Sequence, residues 1–302
     1  MRTLPINRRK FIKHSALASA TIMTAQFGCS QSRIPKYKIG IQLFSIRDAL
    51  EAETIRTLQK VAELGYQDLE TYGFDPQNLK YYGFDASEFK MILDDLGLTV
   101  SSGHYPLFEF LDKPFDELES YVDRCILGAK ALGKSYITWP WLPEEARNLE
   151  TFKKLPEILN RIGEQVTSAG LGFAYHNHDF EFTDYDGVCG YDIILQETDP
   201  DFVKLQLDMY WAAHSSKLSS SELIALQPGR FVMWHIKDMD KKTRDYSELG
   251  NGSIDYHDVL QNASQEGLKY YYLEQGGNYA DNSMQSIATS ISYFKNELQQ
   301  YL

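Results

Sequence analysis

The sequence predicts an α/β chain folded as one (β/α)8 barrel, the TIM-barrel architecture. Three observations carry that expectation. From Tyr37 onward, eight short apolar runs of β type alternate with eight longer amphipathic runs. These units fill about 265 residues, close to the roughly 250 that such a barrel takes. The rival, an open doubly wound sheet, usually carries a Gly-rich phosphate loop after its first strand. Here that stretch reads Gln42-Leu43-Phe44-Ser45-Ile46-Arg47-Asp48, without such glycines.

Taken in order, the β-type runs are residues 38–44, 67–72, 99–102, 135–139, 172–176, 203–207, 231–236 and 270–273. The helix-type runs that follow them are 54–64, 87–96, 115–132, 151–169, 190–197, 221–226, 256–265 and 284–298. In the first helix Ile55, Leu58, Val61, Ala62 and Leu64 fall on one stripe at the helical period. Gly65, Gly97, Gly133, Gly170 and Gly267 stand where helices should stop, because glycine accepts a left-handed backbone. Asp85-Ala86-Ser87-Glu88 and Ser220-Ser221-Glu222 offer N-caps.

Residues 1–30 read as an address rather than as part of the barrel: a basic start, an apolar middle and a small-residue end. Asn7-Arg8-Arg9-Lys10-Phe11-Ile12-Lys13 resembles the twin-arginine export motif. The stretch 16–27 is too short to remain as a membrane span. Phe27-Gly28-Cys29-Ser30 partly resembles a lipoprotein cleavage box, with Cys29 as the candidate lipid anchor, although Gln26 and Phe27 stand where small or aliphatic residues are usual. The expectation is an exported, periplasmic protein, either free or lipid-anchored, whose remaining residues 31–302 form one domain. The chain carries 30 basic and 42 acidic residues. The five basic residues before position 28 belong to the address, which leaves a body near −17. Such a body repels nucleic acid and sets aside a barrel nuclease. Three cysteines without metal-like spacing exclude a disulfide scaffold or a zinc knuckle. Cys125 and Cys189 read as free thiols, and the oligomeric state stays open.

In a barrel of this kind the active site lies at the C-terminal strand ends. Polar residues recur there: Glu70, His104, His176 with His178 and Glu181, Asp208, His235 with Lys237, and Glu274. Neighbouring strands lie close to 5 Å apart, so His176, Asp208, His235 and Glu274, at four consecutive strand ends, should surround one point. Two imidazoles and two carboxylates suit Mn²⁺, Zn²⁺, Fe²⁺ or Co²⁺ better than Ca²⁺, which prefers oxygen cages. Glu70 and His104 are candidate substrate contacts, with a surface carboxylate and a turn cap as the competing readings. Glu181 can hold a substrate hydroxyl, act as base, or be a loop charge. His178 points the same way as His176 if the strand continues, and serves as a base or a support. Lys237 can pair with a substrate oxyanion, with an ordinary solvated lysine as the competing reading. Trp139, Trp141, Tyr210 and Trp211 offer an apolar wall for a sugar ring, unless packing claims them. His14, His214 and His257 receive no role.

Tyr175-His176-Asn177-His178-Asp179-Phe180-Glu181-Phe182, Leu205-Gln206-Leu207-Asp208, His235-Ile236-Lys237-Asp238 and Leu273-Glu274 resemble the xylose-isomerase-like TIM-barrel family, in its sugar-phosphate isomerase/epimerase branch. The opening 39–47 and Leu249-Gly250-Asn251-Gly252-Ser253-Ile254-Asp255 are similar to it too, and the resemblance covers about residues 37–300. In the family's ketose 3-epimerases two glutamates, an aspartate and a histidine hold the metal, and the glutamates move the proton. Asp208, His235 and Glu274 match that pattern. His176 stands where the first glutamate would be, which puts a two-glutamate proton shuttle in doubt. The resemblance implies a divalent-metal isomerase or epimerase acting on a keto-sugar, with Glu274, Glu181 or His178 as base. Elimination from a keto-sugar or a 3-keto-glycoside is the runner-up, and a non-catalytic sugar-binding lipoprotein is the third reading.

Overall fold

A computed structural model describes residues 36–185, 187–263 and 267–302. Contacts divide the chain into Met1–Ile34 and Pro35–Leu302. The expected export segment, with Cys29, lies outside the described residues. No described helix is long and apolar enough to cross a membrane.

Eight parallel strands form the barrel: β1 (Gly40–Gln42), β2 (Asp68–Thr71), β3 (Thr99–Gly103), β4 (Tyr136–Trp139), β5 (Gly172–His176), β6 (Val203–Asp208), β7 (Met233–Ile236) and β8 (Tyr270–Leu273). Each pairs with its sequence neighbours except β3 with β4, and β1 pairs with β8. A single bridge between His104 and Thr138 joins β3 to β4 and nearly completes the ring. The described helices are α1 (Arg47–Leu64), α2 (Ala86–Asp95), α3 (Phe115–Leu132), α4 (Leu149–Ser168), α5 (Gly190–Glu197), α6 (Met209–Ser215), α7 (Ser220–Leu226), α8 (His257–Gln261) and α9 (Ser283–Tyr293).

The β/α alternation matches the expected one unit for unit, with local corrections. The first strand is short because Gln42 turns the chain into a 3-10 helix, Leu43–Ile46, by accepting a bond from the Phe44 N–H. Helix α1 then starts at Arg47 and breaks phase at Glu53, whose φ and ψ are −152° and 80°. Beyond the break Leu58 and Val61 are buried and Ala62 and Leu64 pack on the core, as expected, while Thr57 joins the buried face and Ile55 is 42% exposed. The α7 cap is Ser219, one residue before the expected group, in a capping box with Glu222. Helix α6 was not anticipated. It starts directly after β6 because the Asp208 carboxylate caps it, accepting from the Tyr210 and Trp211 N–H groups. All five glycines expected at helix stops have φ between 68° and 95°.

The main apolar core lies between strands and helices. Inside the barrel, a second cluster of Tyr136, Ala174, Val232, Met233 and Tyr272 is buried. Gly40 makes room for it, since a Cβ there would meet the Tyr271 carbonyl oxygen at 2.3 Å and the Tyr272 ring at 2.7 Å. After β2, the antiparallel pieces Phe74–Asp75, Lys80–Tyr81 and Phe84–Asp85 are tied to the barrel by buried Lys134. Its ammonium donates to the hydroxyls of Thr71 and Tyr105 and sits 4.4 Å from the Tyr81 ring centre.

Gly40→Ala is expected to cost about 1–3 kcal/mol, because a carbonyl oxygen cannot step aside as a side chain can. A urea midpoint equal to that of the wild type would show that β8 gives way freely.

Candidate metal centre

His176 ends β5, Asp208 ends β6, His235 lies on β7 in register with Asp208, and Glu274 follows β8. One donor atom from each lies within 4.8 Å of all the others. His176 Nε2 is 3.1 Å from His235 Nδ1 and 3.3 Å from Asp208 Oδ2. His235 Nδ1 is 2.6 Å from Glu274 Oε2 and 3.7 Å from Asp208 Oδ2. The opposite atoms of three of these side chains are already engaged. His176 Nδ1 faces the Pro140 carbonyl at 3.1 Å, which assigns the proton to Nδ1 and a lone pair to Nε2. His235 Nε2 faces Glu70 Oε2 at 2.5 Å. Asp208 Oδ1 is taken by the α6 cap. Acceptor atoms therefore converge on one point, and Glu274 Oε2 is buried without a donor in hydrogen-bond geometry. Its ion pairs are short but poorly aligned, as befits an oxygen aimed at a cation rather than along an N–H.

Charge points the same way. Glu70, Asp208 and Glu274 are three buried or nearly buried carboxylates, and Lys237 is the buried ammonium facing two of them. With His235 neutral, two negative charges remain, which is the charge of one divalent ion. Without such an ion His235 makes up part of the deficit. Burial alone would lower its pKa, but the carboxylates of Glu274 and Glu70 raise it well above the ordinary value.

Glu70 lies beneath the site, not at its mouth as a substrate contact. It is fully buried, and its oxygens accept from Gln42 Nε2 at 2.8 Å, Ser102 Oγ at 2.7 Å, Gln206 Nε2 at 2.7 Å and His235 Nε2. Burial would raise its pKa. The imidazoles of His104 and His235 and the Ser102 hydroxyl outweigh that and bring it to about 2. Its place follows from the inward alternation of β2, which turns the side chain into the barrel. A carboxylate behind a ligating histidine fixes its tautomer and raises its basicity. His104 sits beside this layer, with Nε2 2.8 Å from Gln206 Oε1 and its ring centre 5.0 Å from that of His176.

The loop after β5 departs most from expectation. Glu181 is fully buried and does not face the centre as a base. Its Oε1 accepts from the Tyr175 hydroxyl at 2.8 Å and its Oε2 from the His178 N–H at 2.7 Å, so it pins its own loop. The cause is the 3-10 turn Phe180–Phe182, which carries the side chain inward. The strand ends at His176, so His178 lies on this loop, edge-on to His176 at 4.8 Å and stacked on Phe180. Its Nδ1 is buried and unpartnered. Lys237 does not wait for a substrate oxyanion: its ammonium is 2.6 Å from Asp208 Oδ2 and 3.0 Å from Glu274 Oε2. Trp139 is core rather than wall, donating its indole N–H to the Trp141 carbonyl. Trp141 is half-buried against Phe108 and Arg147, while Trp211 stands 5.7 Å from His178 and 5.9 Å from Tyr246.

The family model of xylose isomerase-like TIM barrels matches residues 58–296. The chain belongs to this family. Among solved structures it is similar to a sugar phosphate isomerase/epimerase from Parabacteroides distasonis, with 28% identity, a TM-score of 0.74, and coverage of 89% of this chain and 96% of that one. It shares its fold with the IolI protein, solved with a zinc atom, at 18% identity and a TM-score of 0.69, covering 88% and 99% of the two chains. It also shares it with a probable 3-DHS dehydratase, AsbF, from Bacillus anthracis, at 17% identity and a TM-score of 0.64, covering 86% and 99%. No curated protein matches the sequence.

Several supports of this xylose isomerase-like site escaped the sequence reading. Gln42 and Gln206 hold Glu70. Asn177 brackets the Asp208 backbone, accepting from its N–H at 3.0 Å and donating to its carbonyl at 3.3 Å. Asp238 accepts from the N–H groups of Gly250, Gly252 and Ile254, which explains why that glycine-rich stretch lies against β7. The available signal was a polar side chain at an inward position of an otherwise apolar strand.

Burial, opposed by its two donors, raises Glu181 to about 8. A carboxyl raised in the folded state adds stability that is complete below about pH 4.5 and is lost as pH climbs through about 8. Glu181→Gln cannot ionise, so it should flatten the fall of Tm between those values. A profile superimposed on the wild type would reject the pinned, burial-raised carboxyl.

Proposed function

We propose that the chain is a divalent-metal-dependent isomerase or epimerase that moves the proton beside the carbonyl of a keto-sugar. The observation that carries this reading is the convergence of His176 Nε2, Asp208 Oδ2, His235 Nδ1 and Glu274 Oε2 at the C-terminal mouth of the barrel. A mixed nitrogen and oxygen set suits Mn²⁺, Zn²⁺, Fe²⁺ or Co²⁺. A divalent ion there would supply Lewis acidity, polarising a carbonyl and acidifying the neighbouring C–H.

The chain's own residues do the rest. His176, Asp208, His235 and Glu274 would hold the ion, with Glu70 orienting His235 from behind. Glu274 is the candidate base, because it is the ligand carboxylate with some exposure to the mouth, 8% of its side chain. His178 is the candidate relay: it accepts the proton from Glu274 and, once protonated, is the acid that returns it. Burial first, then the neighbouring His176, hold its pKa well below the ordinary value, so it is neutral and able to accept. Glu181 takes no part, since both its oxygens are bonded. Trp211 and Tyr246 wall the side near His178 and limit water.

Elimination from a keto-sugar or 3-keto-glycoside is the second reading, and His176 favours it. With an imidazole at that position, Glu274 is the one carboxylate base in the ligand set, paired with a neutral histidine. Elimination needs no second carboxylate: Glu274 takes the α-proton and, once protonated, can hand it to the departing β-substituent. The export motif at Arg8-Arg9 accords with an unphosphorylated substrate met outside the cytoplasm.

Metal-loaded protein incubated with keto-sugars in D₂O should exchange the α-proton, followed by NMR. Deuterium in an intact rearranged sugar supports the first reading, and loss of a β-substituent supports the second. Absence of exchange across a broad panel would leave only sugar binding. Asp208→Ala and Glu274→Ala should each remove the bound metal measured by elemental analysis. Glu70→Gln should weaken metal affinity about 10–100-fold; unchanged affinity would make Glu70 a packing residue.

A further inference from the structure

Lys237 is 3% exposed and lies on a fixed stem, because the Tyr256 hydroxyl bonds to both its N–H and its carbonyl oxygen. Its ammonium contacts Asp208 Oδ2 and Glu274 Oε2, the same two oxygens that face His176 and His235. An aromatic neighbour, the Tyr246 ring, lies 5.7 Å away. A substrate-binding lysine would keep its charge toward the mouth. This one is turned inward onto two acids that are also the candidate ligands of a divalent ion.

We propose that Lys237 is the resident counter-cation of the centre: it holds Asp208 and Glu274 together when no divalent ion is bound, and it opposes that ion for the same oxygens. The inference rests on the metal-site reading above, and adds to it a residue that acts on the ligands rather than on substrate. Two like-charged carboxylates cannot sit side by side in a buried site without a positive partner. Lys237 supplies that partner permanently, so the empty centre should keep its geometry, at the cost of affinity for the ion. Near Tyr246 the ammonium keeps an aromatic face to rest on once the oxygens bind a stronger cation.

The test compares wild type with Lys237→Met, which keeps length without charge, and Lys237→Arg, which keeps charge. Each is stripped with chelator, its Tm is measured, and it is titrated with Zn²⁺ and separately with Mn²⁺. Lys237→Met should melt several degrees lower when stripped. It should bind either ion at least about tenfold more tightly, because a repelling charge beside the ion is gone. Its Tm gain on metal addition should therefore exceed that of the wild type. Lys237→Arg should keep the stripped Tm. If stripped Lys237→Met does not fold at all, refolding on Zn²⁺ or Mn²⁺ supports the inference, and failure to refold with either ion overturns it. Unchanged stripped Tm with unchanged or weaker metal binding in Lys237→Met also overturns it. Wild type that binds neither ion overturns the metal reading itself, a separate result visible before any variant is made.

Discussion

Three carboxylates, Glu70, Asp208 and Glu274, share the closed end of one barrel mouth, and their need for positive charge organises everything around them. A buried ionised carboxylate is costly unless it is paired and hydrogen-bonded. Glu70 is satisfied by two amides, a hydroxyl and His235. Asp208 spends one oxygen on the α6 cap and turns the other to Lys237 and His176. Glu274 Oε2 has close cations but no aligned donor. Satisfaction thus declines from the floor of the site toward its mouth. The least satisfied oxygen lies where a ligand would arrive.

Parallel strand register is what makes this arrangement cheap to build. Asp208 and His235 are paired partners on adjacent strands, and Gln206 is paired with His176. The alternation of side chains then puts Gln206 in the layer of Glu70 and leaves Asp208 one step higher. Strand β6 thus contributes a lower residue that supports, Gln206, and an upper one that faces the opening, Asp208. A small shift of one strand would move both roles together, so the supporting layer and the ligand layer are not independent.

This division also sets what was legible from the sequence. Strand-end positions of His176, Asp208, His235 and Glu274 could be read because strand periodicity and fold class determine them. So could the five glycine stops, whose backbone need is local. Glu70 and Glu181 were misplaced for a different reason. Both are acids near a strand end, and composition cannot say whether such a side chain points outward or inward. Glu70 turns inward by strand alternation, and Glu181 by a 3-10 turn three residues long. Lys237 was misread because its partners, Asp208 and Glu274, are distant in sequence.

The imidazole at His176 gains meaning from this charge balance. A fourth carboxylate at that position would leave three negative charges after Lys237, and a divalent ion would still leave the centre anionic. With histidine there, Lys237 and one divalent ion balance Glu70, Asp208 and Glu274. A neutral loaded centre withdraws electron density from a bound carbonyl more strongly than an anionic one, because fewer anionic ligands offset the ion's charge. His176 and Lys237 thus act in the same direction, each lowering the negative charge around the ion. That favours a reaction in which charge develops on a carbonyl oxygen, whichever way the proton then returns.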